Sequence, residues 1–253
     1  MFFKNVIPGS TSRLKVVDHT ETSGRHILEN IVKKINVSKL GKVIDIGCGL
    51  GYDLSIVKQY YPGAELYGVD FGSWNADKLR SLGIKPIVIN IENDKLPFED
   101  ESVDFIISNQ FLEHTKEIFW INHEVFRCLK KNGIFFMGVP NILSLHNRIL
   151  MMLGYHPTCN QLMSAHVRVF SKRDVVLFYR NIGVGFCKLE HFYGAQFYPF
   201  PKIISRLLSK LFPTMSVASF YCIRKVNEYK TEFLEWSKYA SLETNYFTGH
   251  SEN

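Results

Sequence analysis

The sequence predicts an α/β protein built on a doubly wound, mainly parallel seven-stranded sheet with helices on both faces. Three observations predict it. Short apolar runs alternate with helix-length segments at the spacing of βαβ units from about residue 42 to residue 140. The first run, Val43-Ile-Asp-Ile46, ends in glycines at alternate positions, Gly47, Gly49 and Gly51, as a tight strand-to-helix turn requires. Two more strand-like runs, Phe186–His191 and Ser216–Ile223, follow a change of character after Pro140 and bring the strands to seven.

Residues 1–20 show no clear period and read as an extended arm. Thr22 or Ser23 is placed to cap a helix reaching about Asn36, with Ile27, Leu28, Ile31, Val32 and Ile35 on one face. Strand one is 42–46. Leu54, Ile56, Val57, Tyr60 and Tyr61 suggest a helix stopped by Pro62-Gly63, and Glu65–Asp70 is strand two. A helix over 73–82 ends at Gly83, and Pro86–Asn90 is strand three. A turn-rich loop from Leu96 feeds strand four, Val103–Ser108, and a helix of about 115–130 takes Lys131-Asn-Gly133 as its C-cap before strand five, Ile134–Val139. Beyond Pro140, Ile142–Leu153 reads as an apolar helix, 154–168 as a loop carrying His156, Cys159 and His166, and Ser171 as the cap of a helix to about Asn181. The division expected is an arm and helix over 1–36, a sheet domain over 37–224 with substrate-side or lid insertions at 141–185 and 193–215, and a polar tail over 225–253 that forms one helix and then frays.

Composition narrows the class. The 253 residues are 46% hydrophobic and 21% charged, which is globular, and no run approaches the ~18 apolar residues of a membrane span. Residues 1–9 are too short and too soon broken by Pro8 for a secretory leader. Five scattered cysteines read as reduced thiols and a cytoplasmic location. Charge is uneven: residues 1–140 carry 17 Lys/Arg against 17 Asp/Glu, whereas 141–224 carry 10 against 2. That excess reads either as a solubilising surface or as a substrate side facing a phosphate or an acidic membrane.

The glycine turn does not have dinucleotide-site spacing, because the sixth place counted from Gly47 is Tyr52. Val43–Gly51 instead resembles motif I of the class I S-adenosyl-L-methionine (SAM)-dependent methyltransferases, and Gly68-Val-Asp70 resembles motif II. The stretch from Leu96 to His114 resembles the "LPF…FD…LEH" signature of a methyltransferase group that includes many small-molecule and glycan-modifying enzymes. Phe126-Arg-Cys-Leu-Lys-Lys-Asn-Gly133, Val139-Pro-Asn141 and His166-Val-Arg-Val-Phe170 are similar to its later elements, so the resemblance covers roughly residues 38–192. It implies the Rossmann-like class I methyltransferase fold and SAM as cofactor.

Within that resemblance the cofactor residues are Asp45, Gly47, Cys48, Gly49 and Gly51 of the first turn, Asp70 and Phe71 after strand two, Ile91 and Glu92 after strand three, and Asn109 after strand four. A glycine turn at a helix N-terminus offers backbone N–H groups to a carboxylate. Asp70 would accept the ribose hydroxyls, Ile91 would cover the adenine, Glu92 would accept its amino group, and Asn109 would stand near the methionine portion. An oxygen acceptor also needs its proton removed, and His114 and His166 are the candidate bases, with Arg168 placed either to meet an anionic acceptor or to make a surface salt bridge. No metal is expected: His123-Glu124 has Arg127 where His-Glu-x-x-His needs its second His, and the other histidines lack ligand spacing. Nucleic acid is not expected either, because Asn109-Gln-Phe-Leu112 lacks the prolines of the amino-methylating enzymes.

The activity expected is methyl transfer from SAM to a small-molecule or glycan-like acceptor at oxygen. The alternatives are carbon or nitrogen methylation of a lipophilic, quinone-like acceptor, or a binding subunit without turnover. The basic half leaves room for an anionic or lipid-linked acceptor. Over 197–213, a helix from Pro201 would carry Ile203, Ile204, Leu207, Leu208 and Leu211 as one stripe beside Lys202, Arg206 and Lys210. Such a helix either packs its stripe on the sheet or lays it on a membrane surface. Oligomeric state leaves no signature.

Overall fold

The computed structural model describes residues 24–35, 40–239 and 246–249. The arm over 1–20, Thr22, Ser23 and Asn36 lie outside them. Helix α1 (Arg25–Lys34) begins on Gly24, where a Cβ would stand 2.2 Å from the Phe220 ring, and has no side-chain cap. Then come β1 (Lys42–Ile46), α2 (Tyr52–Tyr60), β2 (Glu65–Asp70), α3 (Ala76–Ser81), β3 (Lys85–Val88) and β4 (Val103–Asn109). A 3-10 turn over Leu112–His114 leads to α4 (Ile118–Cys128) and β5 (Leu129–Pro140). The remaining elements are α5 (Leu145–Met152), α6 (Lys172–Asn181), β6 (Cys187–Ala195), α7 (Lys202–Leu211), β7 (Ala218–Lys225) and α8 (Glu232–Tyr239).

The seven strands form one sheet in the order β3-β2-β1-β4-β5-β7-β6, with β7 antiparallel to both neighbours and the other pairs parallel. Chain direction across the sheet reverses between β1 and β4, which opens a crevice beyond their carboxyl ends. Both faces are covered, so neighbouring residues of one strand enter opposite cores. Val43, Phe105 and Ile107 pack with Leu28 and Leu54, whereas Ile44, Ile46 and Ile106 pack with Phe126, Tyr179 and Phe233.

Four local expectations are corrected. Helix α4 stops at Cys128, and Lys131-Asn-Gly133 is not its cap but an irregular stretch of β5 where the pairing with β4 shifts register, with Asn132 at φ 67. The helix end is completed from far away: buried Lys225 donates its Nζ to the Phe126 and Leu129 carbonyls, 2.8 Å each, and pairs with Glu101. Helix α5 begins at Leu145 because the Asn141 side chain accepts from Leu143 N at 3.0 Å and donates to the Thr214 and Ser216 carbonyls. The tail does not simply fray: Tyr246 packs on Phe119 and Phe247 on Trp120, and Phe247 N donates to Glu117. Finally, α7 turns Ser205 and Ser209 inward, while Ile203 is 86% exposed, Leu207 58% and Leu211 62%. The stripe does not pack on the sheet.

The Leu96 loop is fixed by α4. Glu124, fully buried, accepts from Leu96 N, and Arg127 pairs with Glu124 while donating to the Leu96 and Phe98 carbonyls. Arg127 thus has a structural role at the position where a zinc motif would need His.

Candidate active site

The crevice between β1 and β4 is built first by what its glycines leave out. A Cβ on Gly47 would meet the Phe111 ring at 2.4 Å, and one on Gly51 would meet Leu79 and Ile84 at 2.7 and 2.8 Å. Gly51 therefore admits the packing of Leu79 and Ile84 against the turn. Gly49 is different: nothing lies within 4 Å of its Cβ position, so its backbone borders open space with φ +49, a conformation L side chains rarely adopt. Cys48 also faces inward, its Sγ 2.7 Å from the Cβ position of Gly68, and burial pushes its thiol pKa well up.

Below the turn lies a charged floor. Arg25 Nε donates to Asp53 Oδ1 at 2.9 Å, and Asn109 Nδ2 donates to Asp53 Oδ2 at 2.7 Å. The Asn109 amide is thus engaged with the floor. Asp45 is buried beside them; burial, then the charges of Asp53 and Asp70, hold its carboxyl pKa well above the usual range, with Arg25 opposing.

Above the strand ends is a cavity of about 390 Å³, lined by Gly47, Asp70, Phe71, Ile91, Glu92 and His114 from the sequence expectation, and also by Ile46, Val69, Ile89, Asn90, Phe111 and Thr115. Asp70 Oδ1 accepts from Phe71 N at 2.8 Å, and exposed Phe71 and Trp74 meet edge to face at 4.7 Å on the rim. Glu92 Oε1 accepts from Lys116 N and Glu117 N, at 2.5 and 3.1 Å, so one carboxylate oxygen serves the start of α4. Asp45, Cys48, Gly49, Gly51, Asn109 and His166 are not in the cavity lining.

His166 nevertheless reaches the site. Its ring meets that of His114 with centroids 4.8 Å apart. Backbone pairing explains the approach: Val167 N and Arg168 N both donate to the Glu113 carbonyl, at 2.8 and 3.1 Å. Arg168 Nε donates to the Thr115 carbonyl at 3.1 Å and its Nη2 to the Lys116 carbonyl, so this guanidinium clamps two segments. That engagement corrects the expectation of an anion-binding arginine. Each imidazole has its Nδ1 on a main-chain carbonyl, His114 on Ala165 at 3.2 Å and His166 on Cys159 at 2.8 Å. A carbonyl only accepts, so both neutral rings carry the proton on Nδ1 and keep a lone pair on Nε2.

Glu113 completes the group and was missed by sequence reasoning, which took only the histidine of its Leu-Glu-His motif. Its carboxyl is buried with Oε2 lacking a hydrogen-bond partner, and burial pushes its pKa up to about 8 against a small opposing effect of its own backbone N–H. Phe111 was missed as well; its place in the cavity lining and against Gly47 reveals it.

Residues 44–137 match a family model described as a methyltransferase domain. The chain has the fold of the class I SAM-dependent methyltransferases. That family uses SAM as its methyl donor. The chain is 18% identical to a SAM-dependent methyltransferase of Aquifex aeolicus, with a TM-score of 0.55 over 83% of this chain and 93% of that one. Among curated proteins, a ubiquinone biosynthesis O-methyltransferase of Pelagibacter ubique is 29% identical over 46% of this chain and 52% of its own. The sterol 24-C-methyltransferase erg6 of Schizosaccharomyces pombe is 23% identical over 40% of this chain and 28% of its own. The chain thus spans about a quarter to a half of the length of these two curated relatives. Among the described residues no helix is long and apolar enough to cross a membrane.

Proposed function

We propose that this protein transfers a methyl group from SAM to an oxygen of a small-molecule or glycan-like acceptor. The observation that carries the reading is His114, which lines the cavity beyond the strand ends and keeps an Nε2 lone pair by giving its Nδ1 proton to the Ala165 carbonyl. The residues present fit the cofactor. The open space over Gly49 admits its methionine end, Asp70 suits the ribose diol, Ile91 the adenine, and Glu92 contributes through Oε2. Buried Asp45, crowded by two other carboxylates, favours a cation nearby and so suits the ammonium group. When bound, SAM supplies an electrophilic methyl on a sulfonium. The chain's part is to align the acceptor and to take its hydroxyl proton at His114 Nε2.

The similarity to an O-methyltransferase of ubiquinone biosynthesis favours oxygen and also a lipophilic acceptor. A second observation concerns where such an acceptor is met. Besides the exposed stripe of α7, Met152 and Leu153 at the end of α5 and Leu162 and Met163 in the following loop are also exposed. A ring contact of 5.4 Å between His146 and Tyr198 joins the two insertions. Lys202, Arg206 and Lys210 run beside the stripe, within the half that carries 10 Lys/Arg against 2 Asp/Glu. Apolar area framed by cations suits an anionic membrane surface, and we place a lipid-linked acceptor there. Incubation with methyl-labelled SAM and a panel of hydroxylated lipids, quinols and glycans tests the activity. An O-methyl ether supports it, and label found on carbon or nitrogen refutes it.

A further inference from the structure

Glu113, His114 and His166 form a group that the proton-transfer reading uses only in part. Their candidate donor atoms all lie within 4.8 Å of one another, with His114 Nε2 4.0 Å from Glu113 Oε1. All three offer lone pairs. Both imidazoles have given their Nδ1 protons to the Ala165 and Cys159 carbonyls, and the Glu113 side chain, 2% exposed, has an oxygen without a hydrogen-bond partner. Glu113 is buried, His166 half-buried and His114 exposed, so the group opens to water on the His114 side and an ion can reach it.

We infer that Glu113, His114 and His166 bind a divalent first-row transition-metal ion. Two imidazoles and one carboxylate are a donor set for such ions that leaves coordination positions open. With metal–ligand bonds of ~2.1 Å, ligands of one ion stand ~3–4 Å apart, so small side-chain rotations bring these three onto it. The outer contacts are those a metal site needs: a carbonyl behind each imidazole fixes its tautomer and ring plane. The Glu113 carbonyl is held by Val167 N and Arg168 N, and Arg168 ties the same loop to Thr115 and Lys116. Ligand spacing is invisible in the sequence because two donors are adjacent and the third arrives on a distant loop.

His114 also borders the cofactor cavity, so the open positions of the ion would take a hydroxyl or phenolic oxygen of the acceptor beside the methyl donor. An oxygen held on a divalent cation would lose its proton more readily, here to solvent water beside the exposed His114, which would act as a ligand instead of as the base itself. This use rests on the methyltransferase reading; binding of the ion does not.

The test is titration of the untagged, chelator-stripped full chain with Co²⁺, followed by visible absorption and by calorimetry, with Zn²⁺ and Mn²⁺ as competitors. One saturable equivalent is expected, weakened at least about tenfold in His166→Ala and in Glu113→Gln. SAM affinity of His166→Ala, measured without metal, should equal that of the wild type. Absence of saturable Co²⁺ binding in the wild type overturns the inference even if Glu113→Gln fails to fold. So does equal binding in a folded His166→Ala. If Co²⁺ binds and SAM does not, the metal site stands and the methyltransferase reading falls; if SAM binds and Co²⁺ does not, the reverse holds.

Discussion

The imidazoles of His114 and His166 meet edge to face, 4.8 Å between centroids and 73° between planes, although one follows β4 and the other belongs to the loop after α5. The contact is made by the main chain, not by the rings. Two N–H groups of the later segment donate to the Glu113 carbonyl, and Arg168 grips the next two carbonyls but one along, those of Thr115 and Lys116. The two sequence elements that resemble methyltransferase signatures are therefore one structural unit at the cavity mouth.

Removing the clamp should loosen that unit without touching the cofactor. Arg168→Ala is expected to lower stability by about 1.5–3 kcal/mol, the usual effect of losing hydrogen bonds from a charged group, and to lower turnover while SAM affinity holds. Thermal melts, turnover and calorimetry check it. Unchanged turnover would show that the position of His166 does not matter to the reaction.

The glycines of the first turn should separate into two kinds. Gly51→Ala places a Cβ against Leu79 and Ile84 and should reduce stability by more than the ~1–2 kcal/mol of the left-handed backbone alone. Gly49→Ala meets no protein atom, so only that backbone cost is expected, together with a loss of SAM affinity. Urea unfolding beside calorimetry distinguishes them; a Gly49→Ala protein with normal affinity would remove the turn from the cofactor site.

Stability should depend on pH through His123. Its Nδ1 is 2.8 Å from the Tyr229 hydroxyl, and burial depresses its pKa, with Glu124 opposing. The unfolded chain therefore takes up this proton first. His123's contribution is complete above ~6.5 and is lost as pH falls through the lower, folded value. Glu113, raised to about 8, has the opposite slope as pH rises, so the difference between wild type and His123→Gln isolates the histidine. Urea midpoints at pH 7.5 and 5.5 should fall further for the wild type than for the variant, and parallel falls would refute the assignment.

The exposed stripe makes a prediction for vesicles. The wild type should sediment with anionic vesicles and less with neutral ones, each basic residue near the surface contributing ~1 kcal/mol and the attraction fading as salt rises. Ile203→Glu with Leu207→Glu should abolish sedimentation without lowering the melting temperature, because both side chains already face water. Indifference to both vesicle types would end the membrane reading.

Local pattern was enough for the strands and for the place of Asp70 at the end of β2, because an apolar run between turn residues needs no partner to be read. It was enough for Ser171 too, whose side chain accepts from Asp174 N as a cap should. It failed where the partner is distant. Lys131-Asn-Gly133 looked like a helix end because nothing local announces that Lys225 performs that task. Glu113 was passed over beside His114, since burial and an unpartnered oxygen exist only once residues 165–168 pack against it. The α7 period fitted both a packed helix and a membrane-facing one; the inward turn of Ser205, which accepts from Phe197 N at 2.6 Å, shows that the stripe faces outward.

The central claim, that the cavity beyond β1, β2 and β3 is a SAM site with Asp70 on the ribose, is tested most directly by calorimetry of SAM into the wild type and Asp70→Ala. One saturable site is expected in the wild type. Loss of a hydrogen bond to a charged group, about 1.5–3 kcal/mol, should weaken binding by roughly tenfold to a hundredfold in the variant. A wild type that does not bind SAM, or an Asp70→Ala protein that binds it equally well, would contradict the account.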